Sequence, residues 1–177
     1  MKSNSKSGRV RARTEQRLRN LGYAGAMLAL ALAGCQSIPA NHGLNADQIA
    51  TLKQAGFHET DAGWELGLDD RLLFDTDQST INPRARAAVS RLGQVLKKAE
   101  IEHVRVYGYT DSTGTDDYNQ TLSKGRADAV SSVLVEAGIP PEGIVSEGEG
   151  KQHPVADNTT SEGRAQNRRV AIVVATP

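Results

Sequence analysis

Arg126 stands where an arginine is costly to place. It lies four residues after Leu122 and four before Val130, so helical spacing puts it on the same stripe as those apolar side chains. A guanidinium drawn out of water needs an anion beside it, because an uncompensated buried charge is strongly destabilising. Upstream, Gly108-Tyr109-Thr110-Asp111-Ser112-Thr113-Gly114 is a turn-rich stretch that follows a strand-like alternation of Val104, Val106 and Gly108 with Arg105 and Tyr107. Ligand sites in α/β sheets commonly sit at the carboxyl ends of strands. Asp111 therefore has two chemically sensible uses. It can close on Arg126 as an internal ion pair, or it can leave Arg126 to grip a ligand carboxylate through two parallel N–H···O bonds. The residue types alone leave both open.

Other chemistries find little material. One cysteine, Cys35, cannot make an internal disulfide or a multi-cysteine metal site, and the four histidines are dispersed without ligand spacing. Asp116-Asp117 reads as an acidic pair favourable at a helix N-terminus, not as a metal site. No Ser/His/Asp set, Cys/His set or acid–base carboxylate pair in a known motif stands out, so the expectation is a binding protein, not an enzyme, with no cofactor and no metal. The chain is formally neutral, but residues 1–34 hold seven Lys/Arg and one acid; the remainder carries 14 basic and 20 acidic residues, a net of −6. A folded part of that sign has no general attraction for nucleic acid.

The elements that must position Asp111 and Arg126 follow from patterning. Asn45 with Gln48 forms a capping box that opens a helix over Ala46–Ala55, with Ile49, Leu52 and Ala55 as a narrow docking stripe and Gly56 as its stop. Residues 57–60 and 64–68 flank an Asp61-Ala62-Gly63 turn as a hairpin, with Trp64, Leu66 and Leu68 on one face. Leu72-Leu73-Phe74 reads as a further short strand. Asn82-Pro83 opens a helix whose stripe is Ala85, Ala88, Val89, Leu92, Val95, Leu96 and Ala99. A strand at 104–108, a helix from about Tyr118 to Ala137, a strand at 144–148, a short helix at about 160–167 and a strand at Val170–Val174 complete the chain. The predicted class is α/β: a βαβαβ(α)β two-layer sandwich, preceded by a short helix and a β-hairpin. Gly125, inside the second long helix, costs about 1 kcal/mol relative to Ala, and the sequence offers no reason for it.

The N-terminus reads as an address. A basic run ending at Arg19 precedes an apolar stretch, Leu21 to Ala33, that is too short for the roughly 20 residues of a membrane-spanning helix. It exits through Leu32-Ala33-Gly34-Cys35, which resembles the lipobox of bacterial lipoproteins. The resemblance implies acylation of Cys35 and an anchor in the outer membrane, since Gln36 and not an aspartate follows the cysteine. Several acyl chains hold firmly where one is marginal.

The motifs further on carry a second resemblance. Gly108-Tyr109-Thr110-Asp111, then Asn119, Leu122-Ser123, Arg126-Ala127, Val130 and Leu134, then Pro154-Val155-Ala156-Asp157-Asn158 and Gly163-Arg164-Ala165 with Asn167-Arg168-Arg169-Val170 are similar, in that order, to the OmpA C-terminal family of peptidoglycan-binding domains. The likeness spans roughly Leu72 to Val174. It implies a non-covalent ligand, the diaminopimelate of the peptidoglycan stem peptide, with Asp111 on its ammonium and Arg126 on its carboxylate. It further implies backbone N–H groups from the Gly114 region and from the Asp75–Asp77 loop, the latter through the main chain of Asp77, with Asn119, Leu122 and Arg168 lining the pocket. Of Arg164, Arg168 and Arg169, two are expected to be structural.

The organisation expected is a signal peptide at 1–34, a lipidated tether at 35–44, an N-terminal helix and hairpin at 45–68, and the peptidoglycan-binding domain at 69–177. Lipid-anchored relatives imply a further partner, a YfiR-like periplasmic repressor of a diguanylate cyclase. Leu52, Trp64 and Leu66 are the candidate contacts for it. The resemblance leaves a homodimer open.

Overall fold

A computed structural model describes residues 43–75 and 77–175. The expected signal peptide, Cys35 and tether residues 36–42 lie outside the described residues.

The chain runs α1 (Ala46–Gln54), β1 (His58–Thr60), β2 (Gly63–Asp69), α2 (Asp70–Leu73), α3 (Pro83–Lys98), β3 (Val104–Tyr109), α4 (Asp116–Glu136), a 3-10 turn (Pro141–Gly143), β4 (Ile144–Gly148), α5 (Ser161–Asn167) and β5 (Arg169–Val174). One five-stranded sheet is ordered β1-β2-β5-β3-β4. It is antiparallel except where β3 and β4 run parallel, joined through α4, and such a parallel pair requires a crossover of this kind. Inward residues Val104, Val106 and Gly108 alternate on β3 with outward Arg105, Tyr107 and Tyr109. The core lies between that face and α3 and α4, around the fully buried Val106, Val130, Leu134, Ile172 and Leu96.

Local signals act as patterning predicts. The capping box at α1 is formed in both directions, Asn45 accepting from Gln48 N at 2.8 Å and Gln48 accepting from Asn45 N at 3.0 Å. Asn82 caps α3 and Pro83 opens it. Gly138, with φ +105°, takes the left-handed residue that ends α4. The helix α4 lies unusually close to the sheet: a Cβ on Gly108 would fall 2.0 Å from the Ser123 carbonyl oxygen.

Two expectations are corrected. Residues 72–74 are not a strand. Asp69 caps a helical turn by accepting from Arg71 N, and only Phe74 makes a bridge, to Ile81. The apolar run Leu72-Leu73-Phe74 gave no way to tell a buried turn from a short strand. On α3 the buried face is Ala85, Val89, Gly93 and Leu96, whereas Ala88 and Val95 are exposed. Gly93 belongs to that face because α3 meets α4 there; a Cβ on it would stand 2.6 Å from the Cβ of Ala137.

Candidate functional site

At the end of the sheet where β3 stops and β5 begins, α2, the 74–81 loop, the 110–115 loop and the first turns of α4 enclose a pocket of about 680 Å³. Asp77, Asp111, Gly114, Asn119, Leu122, Arg126 and Arg168, the seven residues singled out in sequence, all line it. The walls also hold Asp70, Arg71, Phe74, Asp75, Thr110, Thr113 and Tyr118.

The 110–115 loop is braced from several sides. Thr110 N donates to Gly150 O at 2.7 Å. Thr113 N donates to Asp111 Oδ1 at 2.8 Å, and Asn119 Nδ2 donates to Thr113 O at 2.8 Å. Ser112 N reaches Asn158 Oδ1, and the fully buried Asn167 holds Asn158 Oδ1 through its own Nδ2. Asn167 also accepts from Val155 N and Ala156 N. One buried amide thus fixes the 155–158 loop, which in turn steadies the loop carrying Asp111. Across the pocket, Asp77 sits in the left-handed region with φ +57°. Aspartate tolerates that conformation better than most residues, and it turns the main chain there.

The charges form a chain. Arg168 Nη1 donates to Asp111 Oδ2 at 2.6 Å. Arg168 Nε stands 3.6 Å from Asp70 Oδ2, and Asp70 Oδ1 stands 3.1 Å from Arg126 Nη2. Arg126 Nε donates to Gln78 O at 3.0 Å, and the guanidinium lies 5.3 Å from the Phe74 ring centroid. Of the two uses that the sequence leaves open for Asp111, the internal pair with Arg126 is not the one formed. Asp111 pairs internally with Arg168, and the acid beside Arg126 is Asp70. Asp70 escaped notice because it sits in the turn mistaken for a strand; its only advance signal was a second aspartate directly after the cap residue Asp69.

Burial pulls these groups in different directions. Burial pushes the Asp70 carboxyl above its ordinary value, outweighing the nearby guanidinia of Arg126 and Arg168. Burial also acts to raise Asp111, but the Thr113 amide and Arg168 prevail and hold it below the usual carboxylate value. Arg126 is lowered by its burial, against the pull of Asp70. Its side chain is 3% exposed, and its Nη1 has no hydrogen-bond partner among the described residues. Thr110 Oγ1 and Asp70 Oδ1, in the same wall, are also buried without a hydrogen-bond partner among the described residues. Asp70 therefore faces Arg126 as an ion pair by distance and not as an aligned hydrogen bond.

Gly125 acquires a reason here. A Cβ on it would come within 3.2 Å of Ser79 Cβ. The bare helix surface lets the 74–81 loop lie close, and the Gln78 carbonyl one residue away meets Arg126. Of the other arginines, Arg164 binds the carbonyls of Asn158 and Thr159, and Arg169 stacks 3.8 Å from the Tyr109 ring centroid. Both are structural, as expected for two of the three.

The residues offered as protein contacts are corrected in part. Leu52 and Trp64 are buried in the core and Leu66 packs against it. They attach α1 and the hairpin to the sheet; Leu52 and Trp64 present no free surface, and Leu66 is half-buried.

Comparison with known proteins bears on this geometry. Residues 73–168 match the model of the OmpA family. The outer-membrane lipoprotein YfiB of Pseudomonas aeruginosa is 45% identical over 147 residues, covering 83% of this chain and 88% of that protein. Among solved structures, the cell wall anchor of the T6SS from Pseudomonas aeruginosa superposes with a TM-score of 0.63 at 26% identity, covering 77% of this chain and 99% of the other. The peptidoglycan-associated lipoprotein from Burkholderia pseudomallei gives 0.52 at 32% identity, covering 58% and 86%.

Proposed function

The chain belongs to the OmpA family, and from that premise we propose that it is a non-catalytic wall-binding protein whose pocket holds the diaminopimelate of the peptidoglycan stem peptide. Its likeness to an outer-membrane lipoprotein supports a location at the outer membrane with the folded part on the periplasmic side, and a lipid anchor is part of the proposal.

The observation that carries the reading is Arg126 Nη1. A buried donor without an acceptor is costly to keep, and here it belongs to a cation at the wall of a pocket. A ligand carboxylate would satisfy it. Asp111, some of whose acceptor capacity goes to Arg168 and Thr113, retains room for an ammonium. An ammonium and a carboxylate on one stereocentre match that order of charge. Main-chain N–H groups near Gly114 and Asp77 would fix the rest of the stem. Sedimentation of the folded domain with isolated sacculi tests this: Arg126→Ala should stay in the supernatant, and co-sedimentation equal to that of the unaltered protein would overturn the assignment.

The other end of the link would be Cys35, acylated after removal of residues 1–34. Each buried methylene contributes about 0.8 kcal/mol, so several chains suffice to anchor. Cys35→Ser should take up no acyl label and leave the membrane fraction; normal labelling would remove the anchor. Sequestration of a YfiR-like repressor would have to use the outer side of the 45–68 segment, because Leu52 and Trp64 are committed to the core.

A further inference from the structure

Resting on that reading, we propose that Asp70 is a specificity-determining residue of the pocket: an internal carboxylate beside Arg126 that makes the site accept a zwitterion and reject a ligand offering only negative charge. Asp70 is 8% exposed at the side chain and stands 3.1 Å from Arg126 Nη2 and 3.6 Å from Arg168 Nε. Its main-chain N–H donates to Arg168 O at 3.2 Å, which holds the start of α2 against the residue before β5 and keeps the Asp70 backbone beside the two guanidinia.

The consequence is a matter of charge. Four aspartates and three arginines line the pocket. Arg126 and Arg168 each already face an acid. A bare carboxylate entering to reach Arg126 Nη1 gains the guanidinium but meets Asp70 on its far side, where little water screens the repulsion. A ligand that brings its own ammonium to Asp111 offsets that repulsion. Asp70 thereby holds Arg126 in place when no ligand is present and sets a penalty on unaccompanied anions, which is specificity by a repulsive element. Asp111 attracts the ammonium; Asp70 acts on the carboxylate. The two contributions are separable.

The experiment titrates the soluble domain with two probes: a stem peptide with the diaminopimelate amine free, and the same peptide acetylated at that amine. The unaltered protein should favour the free amine by about tenfold, the scale of one charge-assisted hydrogen bond. Asp70→Asn keeps an oxygen facing Arg126 and removes the charge. It should bind the acetylated peptide several-fold more tightly, by the same order of interaction, and so narrow the preference. Asp70→Ala removes the whole side chain that faces Arg126 and weakens both peptides, yet its preference should narrow as well. Asp111→Asn should instead weaken only the free-amine peptide. A preference in Asp70→Asn and Asp70→Ala equal to that of the unaltered protein overturns the proposal while leaving wall binding intact. Failure of the unaltered protein to bind either peptide overturns the peptidoglycan reading and this proposal with it.

Discussion

The two ends of this sheet are held by opposite physics. Where α1 and the β1–β2 hairpin join, the contacts are apolar and complete: Leu52, Phe57 and Trp64 are buried, Gln48 Nε2 donates to the Ala99 carbonyl, and β2 pairs along its length with β5. Where β3 ends and α2 and α4 meet, the buried groups are charged and incomplete: Asp70, Asp111, Arg126 and Arg168 lean on one another and leave donors and acceptors unmatched. Apolar burial contributes stability without needing a partner from outside. A partly satisfied charge cluster contributes little and gains most when a ligand completes it. The contrast separates a region that holds the fold from a region that the fold holds ready.

Substitutions that strike one end and spare the other sharpen this division. Trp64→Ala should have the largest effect, about 3–5 kcal/mol of stability, read as a lowered Tm with sacculus binding retained at low temperature; loss of binding without loss of Tm would break the comparison. Arg126→Ala should cost about 2–5 kcal/mol of binding, the range for removing one member of a buried charge pair, in titrations with stem peptide. Gly125→Ala sets fold stability against pocket geometry on one residue. The helix gains about 1 kcal/mol, while Ser79 and the Gln78 carbonyl are pushed back, so Tm should hold or rise as affinity falls. Asn45→Ala should cost about 1 kcal/mol through the lost cap, with affinity unchanged.

Acid titration gives the smallest and most diagnostic difference, because the pocket's two carboxylates carry opposite signs. The lowered Asp111 value means that its contribution is fully present above the unfolded value and drains only as pH falls through the lower folded one. Asp111→Asn should therefore lower Tm at pH 7 and converge on the unaltered protein in strong acid. The raised Asp70 value means that its ionised form costs stability at neutral pH, a cost relieved as pH falls through the folded value. Asp70→Asn also leaves Arg126 without its anion, a loss that adds to the offset at pH 7. The raised value fixes the trend, so its Tm relative to the unaltered protein should fall as pH falls, where that of Asp111→Asn rises. Melting curves in which the two variants move in the same direction would contradict the assignment of these environments.

How far the sequence could be read depends on what kind of signal each element left. Long helices were legible from period and caps: α3 begins at Asn82-Pro83 and α4 stops at Gly138, as patterned. The pocket residues were legible because they carry motif identity as well as chemistry, and all seven meet around one cavity. Asp70 was not, because its importance lies in a contact with Arg126, 56 positions away along the chain, and the four-residue turn that presents it is too short for periodicity to register. Gly93 and Gly125 failed for a related reason. A glycine's worth in a helix is the distance to whatever packs on it, Ala137 in one case and Ser79 in the other, and that distance has no trace in composition. Trp64 and Leu52 were ambiguous between core and contact surface, since apolar character suits both; only burial decides.

Arg126 is a cation set into the pocket wall, with its side chain 3% exposed. That seclusion has an environmental meaning. Dissolved ions weaken attraction between charges on a protein's outer surface and largely cancel it beyond about 10 Å at 0.1 M, but they have little access to a guanidinium at that depth. A grip on the wall built from such a group should keep its strength as the medium around the cell turns from dilute to briny, where a patch of surface lysines would let go.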